Sequence, residues 1–106
     1  MKNVFSRISH LHDTTKTLIW SVLFIEVKQE HVEALITAME SQGLWTEAIL
    51  NDPDVAALYF VQVSETRIHD AGSFVVRAEE VSRCALMHGA TVADWSARDA
   101  RLSNRA

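Results

Sequence analysis

Leu23-Phe24-Ile25-Glu26-Val27 and Tyr59-Phe60-Val61-Gln62-Val63 match position by position, an internal near-repeat that points to two similar halves. Both segments are rich in β-branched and aromatic residues, the composition that fits a pleated strand. Each is followed by a helical pattern, a closing glycine and a strand that contains tryptophan. After the first, Val32, Leu35, Ile36 and Met39 recur at i, i+3, i+4 and i+7, with Glu33, Thr37 and Glu40 opposite. Gly43 then stands where a helix end favours a left-handed residue. After the second, Phe74, Ala78, Val81, Cys84 and Ala85 form an apolar stripe between about Asp70 and His88, closed by Gly89; Arg77, Glu79, Glu80 and Arg83 fall elsewhere on that helix. Trp45 lies in the strand after Gly43, Trp95 in a short strand over 90–95, and Asn51-Asp52-Pro53-Asp54 reads as a turn.

Two such halves, joined with right-handed crossovers, predict an α+β chain of the ferredoxin-like split β-α-β kind (βαββαβ). This is a four-stranded antiparallel sheet with two helices on one face. Residues 1–16 form an N-terminal arm or short helix, with Val4, Phe5, Ile8 and Leu11 spaced for one helical face. Residues 17–98 form the domain, and residues 99–106 a flexible polar tail.

Composition narrows the function. A chain of 106 residues holds one core, and 48% hydrophobic with 23% charged residues suits packing rather than disorder. A domain of this size buries only about two thirds of its unfolded surface, so a second copy or a partner that covers more is expected. The formal charge of −4 argues against a protein that grips phosphate backbone. The single cysteine, Cys84, excludes an intramolecular disulfide and a multi-cysteine zinc site, and reads as a reduced, buried thiol suited to the cytoplasm. Apolar runs such as Val22 to Ile25 fall far short of the ~18 residues that a membrane span needs, and the N-terminus lacks a signal arrangement, so a cytoplasmic, membrane-free protein is expected.

Chemistry-bearing patterns are sparse. His10-Leu11-His12-Asp13 is the densest cluster of metal-ligating types, but His31, His69 and His88 lie at spacings that match no metal motif. His88 sits where a cation complements a helix C-terminus. Cys84 faces inward on its helix, and Ser64, Glu65 and Asp70 form no nucleophile elbow or paired-carboxylate motif. No glycine-rich phosphate loop is present. The expectation is a non-catalytic chain with no cofactor and no metal.

Strand alternation then assigns surfaces. Leu23, Ile25 and Val27, with Tyr59, Val61 and Val63, are expected to face the helices. Trp20, Val22, Phe24, Leu58 and Phe60 would line the other face, an apolar patch that the N-terminal arm, a second copy or a different protein should cover. Trp20, Phe24, Trp45, Phe60 and Trp95 are the candidate partner-binding anchors. Glu47, Asp52, Asp54, Glu79 and Glu80 would steer a basic target.

Over residues 20–98 the chain resembles the bacterial regulators of ribonuclease E activity of the B type. The resemblance is carried by Phe24-Ile25-Glu26-Val27, the helix through Leu35 and Met39 into Gly43, the strand Tyr59 to Val63, and the helix from Phe74 to Gly89. The closing Thr91-Val92-Ala93-Asp94-Trp95 completes it, although Asp94 abuts Trp95 where the family has a glycine between the two. The resemblance implies a small regulator or inhibitor that occludes a protein partner, a ribonuclease or its scaffold region, without a cofactor. Two other classes fit parts of the pattern. One is a dimeric α/β barrel enzyme or small-ligand binder whose sheet faces pair across a homodimer. The other is a single-stranded RNA binder that stacks bases on Phe24 and Phe60, which the negative charge opposes.

Overall fold

A computed structural model describes residues 2–100, in the order α1 (Lys2–Leu11), β1 (Leu18–Lys28), α2 (Gln29–Ser41), β2 (Trp45–Asn51), β3 (Leu58–Arg67), α3 (Ala71–Met87) and β4 (Thr91–Asp99). Residues 101–106 of the expected tail lie outside the described residues. Asp99, at the start of that tail, belongs to β4, which runs past the expected residues 90–95 and keeps Ser96 to Asp99 in register with Ser21 to Leu18. The sheet order is β2-β3-β1-β4 and every neighbouring pair is antiparallel, which leaves β2 and β4 as the edges.

The helices end as the glycines foretell. Leu44 N–H donates to the Met39 carbonyl and Gly43 N–H to that of Glu40; Ala90 and Gly89 repeat the pattern onto Ala85 and Leu86. Both are Schellman closures around a left-handed glycine, with φ of 90° at Gly43 and 70° at Gly89. At the other end of α3, Asp70 Oδ1 accepts from Ser73 N–H at 2.8 Å while Asp70 N–H donates to Ser73 Oγ at 3.0 Å, a reciprocal cap. Alanine at either glycine is strained by roughly 1–2 kcal/mol. At Gly89 its Cβ would also stand 2.9 Å from His31 Nδ1, whereas nothing lies within 4 Å at Gly43. Thermal unfolding is therefore expected to show a larger loss for Gly89→Ala than for Gly43→Ala. Equal losses would mean that His31 does not sit against the α3 turn.

The described helices cover one face of the sheet, and among the described residues they number three rather than the expected two. Trp20, Val22, Phe24 and Val27 of β1, Val61 and Val63 of β3 and Trp95 of β4 join Leu35, Met39, Phe74, Val81 and Ala85 in one buried cluster. Each such side chain contributes roughly 1.5–3 kcal/mol by leaving water. The third helix is α1, and it extends this layer: Ile8 is buried and Phe5 stacks on Trp20, with ring centroids 6.2 Å apart. Arg7 fastens α1 to the β4 edge, donating to Asp94 Oδ1 and to the Trp95 carbonyl, each at 2.9 Å. The N-terminal segment therefore packs beside α3 and β4, and the sheet's other face is not where it lies.

One backbone feature overturns the expected faces of β1. Phe24 pairs with Val61, but the next pair is Val27 with Tyr59, so Ile25 and Glu26 together oppose Phe60. Glu26 adopts φ of 55° to make this bulge. An extra residue inverts the alternation on its N-terminal side. Trp20, Val22 and Phe24 therefore turn to the helices together with Val27, and Leu23 and Ile25 turn away. On β3, which pairs without an inserted residue there, Val61 and Val63 face the core as the alternation predicts.

Candidate functional site

The face of the sheet that carries no helix among the described residues presents Ile19, Ser21, Leu23 and Ile25 from β1, flanked by Phe60, Gln62 and Ser64 from β3, with Trp45, Ala48 and Leu50 from β2 and Ser96 and Arg98 from β4. Trp45 is 40% exposed and Leu50 61%. Of the five expected anchors, only Trp45 and Phe60 stand here. Trp20, Phe24 and Trp95 are at most 1% exposed and lie under the helices, so a partner cannot reach them without unfolding the core. The bulge at Glu26 accounts for Trp20 and Phe24. Trp95 follows from pairing with Val22, which fixes it to the same face.

Across the centre of this face runs a polar ring that draws one residue from each strand. Trp45, Ser64, Ser21 and Ser96 are successive cross-strand partners, and the two buried serines form a low saddle. Over it Arg98 of β4 meets Glu47 of β2, on the opposite edge of the sheet. Arg98 Nη1 also donates to Ser21 Oγ at 3.2 Å, and the two serine hydroxyls are 2.7 Å apart. Either serine hydroxyl can donate in that contact. Burial pushes the Glu47 carboxyl up, but the Ser64 hydrogen bond and the Arg98 guanidinium outweigh it and hold the group below its ordinary value. The result is an ion pair whose charges are neutralised within the sheet. The bulge between Thr46 and Ala48 gives Glu47 its place in the ring.

A second polar group lies in the core. Arg77 grips Glu65 with two bonds, Nε to Oε2 at 2.8 Å and Nη2 to Oε1 at 2.9 Å, and Nη2 also donates to the Gln42 carbonyl at 2.7 Å. The sequence reading placed Arg77 off the apolar stripe of its helix. Its spacing from Phe74, Ala78 and Val81 in fact sets it on that stripe, and Glu65 alternates with Val63 and Val61 on the inward face of β3. Two opposite charges on inward-facing positions were the available signal. The bond from Arg77 to the Gln42 carbonyl ties the C-terminal end of α2 to α3 and β3.

His69 is buried beside this pair, its ring 5.0 Å from Trp20 and 5.9 Å from Phe74, with Nδ1 3.0 Å from Ser73 Oγ. Burial lowers its pKa from the ordinary 6.5; the Glu65 and Asp70 charges oppose this, and Arg67 and Arg77 reinforce it. The unfolded chain thus binds a proton that the folded chain refuses. Stability is full above about pH 6.5 and falls as pH drops from there through the lowered folded value. Urea unfolding is expected to show a lower midpoint at about pH 5.5 than at about pH 7.5, a difference that His69→Gln reduces. Equal midpoints in the unsubstituted protein would refute a neutral, buried His69.

The remaining candidates are structural. Asp52 Oδ1 accepts from Asp54 and Val55 N–H, which makes the expected turn. Cys84 is half-buried against the core, and His88 is the residue that ends α3. Among the described residues, no group of three or more His, Cys, Asp or Glu could hold a metal ion. No described helix is long and apolar enough to cross a membrane. Comparison with protein families, with curated proteins and with solved structures returned no match.

Proposed function

We propose that this chain is a small, non-catalytic regulatory domain of the ferredoxin-like split β-α-β kind that acts by docking its helix-free sheet face on another protein. The β-α-β-β-α-β order after α1 and the central position of β1 and β3 support the fold assignment. The observation that carries the docking assignment is the sheet face itself. Trp45, Phe60 and Leu50 present aromatic and aliphatic surface around a ring whose charges are already paired, so covering it strands no charge. Trp45 has the size and exposure of an interface anchor. The resemblance to the regulators of ribonuclease E makes that enzyme and its scaffold region the first protein partner to test, with the regulator lowering activity by occlusion in the cytoplasm.

The neutral ring favours one second reading, the homodimer of the α/β barrel class. Two copies of a chain with net charge −4 can approach through a face that carries no net charge. Binding of purified ribonuclease E, measured together with solution mass by light scattering, separates the two. A monomer that binds the enzyme, and that loses tenfold or more affinity on Trp45→Ala while keeping its melting temperature, is the expected result. A dimer that Trp45→Arg dissociates would replace the regulatory reading with the barrel. Enzyme binding that is indifferent to Trp45 and Phe60 would overturn the assignment of the face.

A further inference from the structure

On the helix side of the molecule, away from the sheet face, a groove of about 570 Å³ opens between α2 and the edge strand β2. Its floor is apolar: Val32 and Ile36 of α2, Ile49 of β2, which is 45% exposed, and the Tyr59 ring. Its rim carries Glu33 and Glu40, and among the described residues no basic side chain lines it. The strand beside it is open. Among the described residues β2 pairs with β3 alone, so alternate N–H and C=O groups along its outer side face away from the sheet. From the bulge onward it reads Ala48-Ile49-Leu50-Asn51, without the lysine or proline that commonly protects an edge.

The geometry points to a binding site for an extended segment of a partner protein, one that adds as a strand to β2 with an apolar side chain in the groove and basic side chains at either side. Strand addition to an edge next to a helix supplies affinity through the backbone and specificity through alternate side chains. The charge of the rim selects the partner. Glu33 and Glu40 are seven residues apart, roughly 10 Å of helix. Along a strand, residues at i−2 and i+2 are about 13 Å apart on one face, and lysine side chains flexible enough to converge span that difference. The fitting pattern is therefore Lys-x-Leu-x-Lys, with leucine between Ile36 and Ile49. This site is separate from the sheet face, and it stands whether or not that face docks a regulatory target.

The test uses the full chain and a fluorescein-labelled peptide, GTKTLTKTG, followed by fluorescence anisotropy. Two control peptides are GTETLTETG, which reverses the charge, and GTKPLPKTG, whose prolines remove the backbone donors on either side of the leucine and disfavour strand pairing. Saturable binding, weakened at least tenfold in both controls and by Ile49→Lys, is expected. Glu33→Gln with Glu40→Gln should weaken it several-fold and flatten its salt dependence. Trp45→Ala should leave it unchanged, which separates this site from the sheet face. Because Ile49 is already 45% exposed, Ile49→Lys should keep the melting temperature, and the glutamine variants serve as a second probe if it does not. No saturable binding, equal binding of the acidic peptide, or equal loss in Trp45→Ala would overturn the proposal. So would a self-associated chain that Ile49→Lys dissociates, because a second copy would then hold the β2 edge.

Discussion

Arg77→Met is expected to destabilise the fold by about 3–5 kcal/mol, because it leaves the Glu65 carboxylate buried without its two-pronged partner. A domain of this size is stable by only about 5–15 kcal/mol, so the change should be visible as a large drop in the urea midpoint. Arg67, whose Nε is 3.0 Å from Glu65 Oε1, remains, but its side chain is half open to water and its charge is screened. The loss has a second part, since the Gln42 carbonyl at the end of α2 loses the donor that joins it to α3. Glu65→Leu alone should also destabilise strongly, for it leaves the buried Arg77 only the Gln42 oxygens and the half-exposed Glu80, 3.6 Å from Nη1. The double variant should recover most of the loss, because a hydrophobic replacement of both partners removes the desolvation penalty together with the attraction. A double variant that shows the sum of the two single losses would show that the residues are not coupled.

Trp20→Ala should cost a similar amount, about 3–5 kcal/mol. The indole is fully buried, stacks on Phe5, contacts Phe74 and His69 at 5.4 and 5.0 Å between centroids, and donates Nε1–H to the Arg67 carbonyl at 3.0 Å. Its removal opens a cavity between β1, α1 and α3 and leaves that carbonyl without the indole. Amide hydrogen exchange should show α1 losing protection first, since Phe5 loses its stacking partner. A cost below about 0.5 kcal/mol, typical of surface positions, would place Trp20 on the helix-free face and remove the bulge from the account.

That prediction marks where the sequence stopped being readable. The helix ends at Gly43 and Gly89, the turn at Asp52 and the inward face of β3 were legible, because each depends on residues a few positions apart. The helical spacing of the arm was legible too: Val4, Phe5 and Ile8 pack against the core, while Leu11 is left 73% exposed. The faces of β1 were not. Nothing in Leu23-Phe24-Ile25-Glu26-Val27 announces a left-handed glutamate, and one inserted residue moved two of the five expected anchors from surface to core. The Glu47–Arg98 pair was out of reach for a different reason. The two residues are 51 positions apart, and they meet only once the order and register of four strands are known.

That last dependence makes the ring a proofreader of strand alignment. All three pairings in this sheet contain an irregularity, so each could slide by a residue at modest cost in backbone hydrogen bonds. A slip in β4 would swing Arg98 under the helices, and a slip in β2 would do the same to Glu47, each stranding a charge in an apolar interior. Misaligned sheets are thereby raised in energy relative to the native one. Residues that add little to the stability of the correct structure would then contribute by making its nearest competitors untenable.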